Sequence, residues 1–118
     1  MSGELHPRAE KESDVSSLFD ERVYAVLRRV PRGKVTTYKA LAEALGTKAY
    51  RAVGQALNRN PYAPAVPCHR VVCSDGSIGG FAHGTGKKIK MLREEGVEVV
   101  DGRIKNVYSK IFAFDRKS

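Results

Sequence analysis

The sequence predicts a mainly α fold with short β hairpins, a winged-helix-like domain containing a helix-turn-helix. Three observations predict it. Apolar residues recur at helical spacing in successive runs, a short glycine-containing turn separates two of these runs, and Asp-Gly pairs stand between short apolar stretches further on. A chain of 118 residues is the size of one domain with a core of its own. Residues 1–14 are polar, contain Pro7 and lack periodicity, which predicts a flexible N-terminal arm ahead of a single domain over 15–118.

The first helix is expected from the Phe19, Val23, Val26, Leu27 and Val30 spacing, with Ser17 and Asp20 at its N-terminal cap and Pro31 and Gly33 ending it. In "KVTTYKALAEALG", Thr36 or Thr37 can cap a second helix. Tyr38, Leu41, Ala42 and Leu45 share one face of that helix, and Gly46 stops it. After a tight turn, "KAYRAVGQALNRNP" resumes the period at Ala49, Val53, Ala56 and Leu57 and stops before Pro61. Two short helices so joined, the second carrying Arg51 and Arg59, outline a helix-turn-helix. Asp75-Gly76 suggests a short hairpin or turn, and the glycines from Gly76 to Gly86 suggest a ligand-contacting loop without the spacing of a phosphate-binding P-loop. Lys87 to Glu95 reads as a last short helix. Val97, Val99 and Ile104 around Asp101-Gly102 read as a second hairpin, ahead of an apolar cluster at Val107, Ile111 and Phe112.

The net charge is +8 and unevenly placed: from Arg22 to Arg93 fourteen basic residues face only two acidic ones, Glu43 and Asp75. A positive middle with acidic ends predicts a polyanionic partner. Cys68 and Cys73 are too few and too close for a disulfide framework, and no Cys or His spacing matches a zinc site, so neither a metal nor a cofactor is expected. A polar N-terminus and the lack of a long apolar run predict a chain without signal peptide or membrane span, placed in the cytoplasm, or in the nucleus of a eukaryote.

Five segments, "GKVTTYKALAEALG", "RAVGQALNRNP", "VPCHRVV", "SIGGFAHG" and "LREEGV", in that order and at those separations, resemble the DNA-binding active-site domain of the O6-alkylguanine-DNA alkyltransferases. The resemblance runs from about Phe19 to Val97. It implies repair of O6-alkylated guanine in double-stranded DNA by a monomer that moves the alkyl group irreversibly onto its own cysteine. That cysteine would be Cys68. A free thiol with a pKa of about 8.5 is mostly protonated at neutral pH and needs a base. By the resemblance His69 is that base, acting through an ordered water, and Glu95 orients it, with Glu94 one position away as the alternative. Tyr38 matches the tyrosine that donates to the departing base.

The target atom is out of reach in a stacked duplex, so the base must flip out. Arg51 matches the arginine that fills the resulting gap from the minor groove. Ala52, Gly54 and Ala56 are small enough for a close helix–DNA approach, and Arg59 adds a basic contact. Asn60 matches the residue bracing the turn between recognition helix and active site. Val71, Gly80, Phe81 and Ala82 are expected to wall the base pocket, Phe81 standing where many relatives have a tyrosine. Arg70 is expected to be structural, Cys73 a core cysteine, and His83 a solvent-exposed loop residue. Two competing readings stay open. A non-catalytic alkyltransferase-like lesion binder usually lacks the cysteine present here, and a helix-turn-helix transcription factor gives no reason for the Cys-His pair.

Overall fold

The computed structural model describes residues 18–81 and 83–114; the arm over 1–14, the Ser17 cap and Ala82 lie outside them. Helix α1 covers 18–27 and runs into a turn in which the Val30 N–H donates to the Leu27 carbonyl. Its inward stripe, Val23, Leu27 and Val30, is fully buried. Tyr24 is buried beside it and donates its hydroxyl to the Ala56 carbonyl at 2.8 Å, tying α1 to a helix 32 residues further on.

Strand β1 (Thr36–Thr37) leads directly into α2 (Tyr38–Leu45). Of the two candidate caps, Thr37 serves: its Oγ1 accepts the Ala40 N–H at 3.0 Å, satisfying one of the donors a helix start leaves open. Thr36 is fully buried instead. Gly46, at φ +73°, closes α2 in the left-handed conformation expected of a C-terminal glycine. Helix α3 (Tyr50–Arg59) packs on α2 and buries Val53, Ala56 and Leu57; Ala49, expected on that stripe, is the exposed residue before the helix.

A 3₁₀ turn (Cys68–Arg70) leads into β2 (Val71–Val72), which pairs in parallel with β1, Thr36 opposite Val71 and Thr37 opposite Val72. This pairing replaces the hairpin considered at Asp75-Gly76. There the chain makes a tight turn, with the Asp75 carboxylate accepting the Ser77 N–H (2.9 Å) and hydroxyl (2.7 Å), and Gly76 at φ +89°. The partner of β2 is 35 residues away in sequence, and a period-two pattern carries no information about such a pairing. Helix α4 (Thr85–Glu94) starts two residues earlier than expected. The second hairpin is present: β3 (Val99–Val100) and β4 (Arg103–Ile104) are antiparallel, joined by Asp101 and Gly102, both at positive φ as a two-residue I′ turn requires. After α5 (Val107–Lys110) the chain returns to bridge Val35 at Ile111.

Two apolar clusters result. One gathers α1, α2, α3, Cys68 and Val71; the other gathers Val35, Val72, Ile78, Leu92 and the β3–β4 hairpin. The turn bearing Cys68 and His69 therefore lies at the seam, held by both. No helix among the described residues is long and apolar enough to cross a membrane.

Candidate active site

The position of Cys68 is set from both sides. Downstream, β2 is clamped on β1. Upstream, the Asn60 side chain donates to the Val66 carbonyl at 2.8 Å and accepts the Tyr62 N–H at 2.9 Å, so the end of α3 is fastened to the residue before Pro67-Cys68. Cys68 is 7% exposed and His69 2%.

His69 Nε2 lies 2.8 Å from Glu95 Oε2. Glu95, and not Glu94, is therefore the residue that meets the histidine; Glu94 is exposed, and only its carbonyl is used, as an acceptor for Arg32. Arg70 completes the group, donating Nε to Glu95 Oε1 (2.9 Å), Nη2 to Oε2 (2.8 Å) and Nη1 to the Val30 carbonyl (2.8 Å). Arg70 is thus structural as expected, and its forked pair fixes the carboxylate that fixes the histidine. Burial alone would raise the Glu95 carboxyl, but the hydrogen bonds from Arg70 and His69 outweigh it and hold it below its ordinary value. Burial lowers His69 below its ordinary 6.5, and Glu95 offsets this only in part. With Arg70 already balancing the carboxylate, the ring is neutral at pH 7. An ionised carboxylate only accepts, so Nε2 carries the hydrogen and Nδ1 presents a free lone pair. That is the tautomer of a base.

Beside this group opens a pocket. Cys68 and His69 form one side, Phe81 and His83 another, and Ala63, Pro64, Lys87 and Met91 the rest. Of the four predicted wall residues, Phe81 lines it. Gly80 is exposed next to Phe81, Val71 is fully buried behind the turn and does not line it, and Ala82 lies outside the described residues. Val71 is displaced because its side chain joins the first apolar cluster while its backbone pairs with β1. His83 is exposed, as expected, yet also lines the pocket, its ring edge-on to Phe81 at 5.3 Å. Ala63, Pro64, Lys87 and Met91 were missed. A signal existed for the last two: Lys87, Met91 and Glu95 are spaced i, i+4, i+8, one stripe of α4.

Tyr38 stands half-buried behind the Gly-rich loop. A Cβ on Gly79 would lie 3.2 Å from Cys73 Sγ and 3.7 Å from Tyr38 Cε2, and Gly79 also has φ +74°, so only glycine lets the loop approach this closely. Burial, and then the neighbouring Cys73 and Cys68, raise the Tyr38 hydroxyl, which remains a proton-bearing donor at neutral pH.

On α3, Arg51 is exposed at the first turn, and Ala52 and Gly54 are partly exposed; Ala56, expected with them, is instead fully buried on the inward face, where its carbonyl accepts the Tyr24 hydroxyl. A Cβ on Gly54 would meet nothing within 4 Å, so the fold itself does not require glycine there. Arg59 is exposed and also has a partner inside the protein. Its Nε and Nη2 donate to the two Asp20 carboxylate oxygens at 2.9 Å each, and this forked pair braces α3 against α1. Its guanidinium is thus paired with α1 while half of the side chain stays exposed. The pairing joins residues 39 apart and is invisible in the periodicity of either helix.

The sequence matches the family described as 6-O-methylguanine DNA methyltransferase, DNA binding domain, over residues 18–97. A methylated-DNA--protein-cysteine methyltransferase of Sulfolobus acidocaldarius is 47% identical over 81 residues, covering 69% of this chain and 51% of the relative. The crystal structure of the O6-methylguanine-DNA methyltransferase of Pyrococcus kodakaraensis is 51% identical with a TM-score of 0.63, covering 67% of this chain and 46% of that one. Schizosaccharomyces pombe Atl1, in complex with damaged DNA containing O6-carboxymethylguanine, is 33% identical with a TM-score of 0.71, covering 81% of this chain and 95% of that one. The chain thus spans about half the length of the methyltransferase relatives and nearly all of the Atl1 fold.

Proposed function

We propose that this chain, which belongs to the 6-O-methylguanine DNA methyltransferase DNA-binding family, repairs O6-alkylguanine in duplex DNA by taking the alkyl group onto Cys68. The observation that carries this reading is the Cys68-His69 turn with Glu95 at 2.8 Å from the histidine, beside a pocket walled by Phe81. A lesion binder would have no use for a base so oriented next to a thiol.

The reaction balances without a cofactor. The Cys68 proton passes through one water to His69 Nδ1, and the thiolate attacks the O-bound alkyl carbon. The S–C bond forms as the O6–C bond breaks, and guanine leaves with its electron pair while Tyr38 donates to its ring; the proton that His69 took returns through water to the guanine anion, so both end neutral. The product is guanine in DNA and a thioether on Cys68. A thioether cannot be cleaved by this machinery, so each molecule acts once.

For the base to reach Cys68 it must leave the stack. Arg51 is proposed to occupy the gap, with α3 laid in the minor groove and Ala52 and Gly54 at the closest approach. The open space beside Gly54 supports this, since no packing among the described residues explains the glycine. Asn60 is the brace linking this helix to the active turn.

Incubation with duplex DNA bearing O6-methylguanine is the test. Peptide mass spectrometry should find one methyl group on Cys68 and one equivalent of guanine restored. Tight binding to the lesion with unchanged protein mass would replace this reading by that of an alkyltransferase-like lesion binder, to which the Atl1 likeness points.

A further inference from the structure

The pocket beside Cys68 has more in its wall than a methyl group uses. Ala63, Pro64, Phe81 and Met91 offer apolar surface to a small alkyl carbon, but Lys87 and His83 line the same space. A methyl group presents no polar atom to either. Lys87 is exposed and stands on the stripe of α4 that continues through Met91 to Glu95, so it belongs to the pocket side of that helix. No carboxylate among the described residues forms an ion pair with it. Its neighbour Lys88 differs: fully buried, it donates to the carbonyls of Val71 (2.7 Å), Ile78 (2.6 Å) and Gly80 (3.0 Å). His83 stands edge-on to the Phe81 ring at 5.3 Å, which keeps its imidazole against the aromatic wall.

The described lining holds no carboxylate. Glu95 lies behind His69, and the Arg70 fork already balances its charge. The Lys87 ammonium is therefore an uncompensated positive charge at the pocket wall, and it attracts an anion more strongly once a bound base displaces water from the space. We propose that this pocket selects O6-alkylguanines whose alkyl group ends in a carboxylate, carboxymethyl being the smallest, with Lys87 as the specificity-determining residue and His83 assisting it. The proposal rests on the proposed function and names the substrate class of the same site. The bonds change as they do for methyl: Cys68 Sγ bonds to the methylene carbon, the O6–C bond breaks, and the guanine anion regains the proton held by His69. The carboxylate stays on sulfur as S-carboxymethylcysteine. A carboxylate beside the attacked carbon repels the incoming thiolate, and a cation on the pocket wall offsets that repulsion.

The test uses the full chain and three duplexes that differ only in the lesion: O6-methylguanine, O6-carboxymethylguanine and O6-carbamoylmethylguanine, the last a neutral isostere of the second. Single-turnover rates give the ratio of carboxymethyl to carbamoylmethyl transfer, in which contacts to the rest of the DNA cancel. Lys87→Met should lower this ratio about fivefold, the scale of one partly exposed ion pair, and Lys87→Arg should restore it. His83→Ala should lower it by less. An unchanged ratio in Lys87→Met overturns the proposal, and so does an equal fall in all three rates, which is the result for a lysine that holds a backbone phosphate. Methyl transfer with an unchanged ratio removes this proposal alone and leaves the proposed function standing. No transfer from any lesion removes the proposed function. The same ratio is then read from the dissociation constants for the two larger lesions: Lys87→Met should again lose about fivefold of the preference for the anionic one, and an equal preference in parent and variant overturns the role of Lys87.

Discussion

The two halves of this molecule treat charge in opposite ways. On the α3 face, Arg51 is exposed, Gly54 has open space beside it, and small residues leave the helix surface bare. On the turn and α4, His69, Glu95, Arg70 and Lys88 are withdrawn from solvent to different degrees and matched to partners at 2.6 to 2.9 Å, apart from one Lys88 contact at 3.0 Å. The difference follows from the work proposed for each. A surface that must accept any sequence gains from adaptable cations and close backbone approach, whereas a proton relay needs atoms that hold one geometry and one protonation state.

The comparison breaks most sharply at Cys68. Cys68→Ala should abolish alkyl transfer while leaving duplex affinity within about twofold in a gel-shift titration; retained transfer would place the nucleophile elsewhere. Next comes Glu95→Gln, which keeps the volume but no longer holds the carboxylate that sets the His69 tautomer. Single-turnover transfer should slow by about 10²-fold with DNA affinity unchanged. A parallel fall in affinity would mean that the two halves are not separable.

The buried half should also register as acid sensitivity. His69 is held below its ordinary value of 6.5, so as the pH drops through 6.5 the unfolded chain binds a proton that the native ring refuses, and stability falls. Glu95, held below its ordinary 4.5, adds a further loss as the pH falls below that value. Urea midpoints should therefore decline from pH 7 to pH 5 in the parent and decline less in His69→Gln. On the exposed half the effects are smaller. Arg51→Ala should slow transfer from intact duplex by about tenfold yet leave transfer from single-stranded DNA unchanged, because only the duplex requires a gap filler. Smallest is Gly54→Ala, which should stabilise the fold by about 0.5–1 kcal/mol, since the helix gains and nothing clashes. The same change should weaken duplex binding a few-fold. Unaltered binding would remove Gly54 from the interface.

Legibility in the sequence divided along similar lines. Helices α1 to α4, the Thr and Gly caps of α2 and the hairpin at Asp101-Gly102 were readable because each is decided within a few neighbours, whereas α5 read only as an apolar cluster. The "PCHRVV" motif and the spaced segments around it marked Cys68, His69 and the Glu94-Glu95 pair. The parallel β1–β2 pairing, the Asp20–Arg59 brace and the choice of Glu95 over Glu94 were not readable, since each joins residues 25 or more apart. Val71, expected in the pocket wall, pairs with β1 and is fully buried in the first apolar cluster.

By itself, then, the sequence determined helices α1 to α4 to within a few residues, the positive middle of the chain and, through the family resemblance, the candidate thiol and histidine. These depend on local sterics, capping and residue chemistry. The tertiary structure alone decided that Arg59 pairs with Asp20 across two helices, that His83 and α4 line the pocket, and that Lys88 lies buried. A lysine reads as a surface residue until packing withdraws it from water, and only the three carbonyls that converge on its ammonium explain how it can stay there.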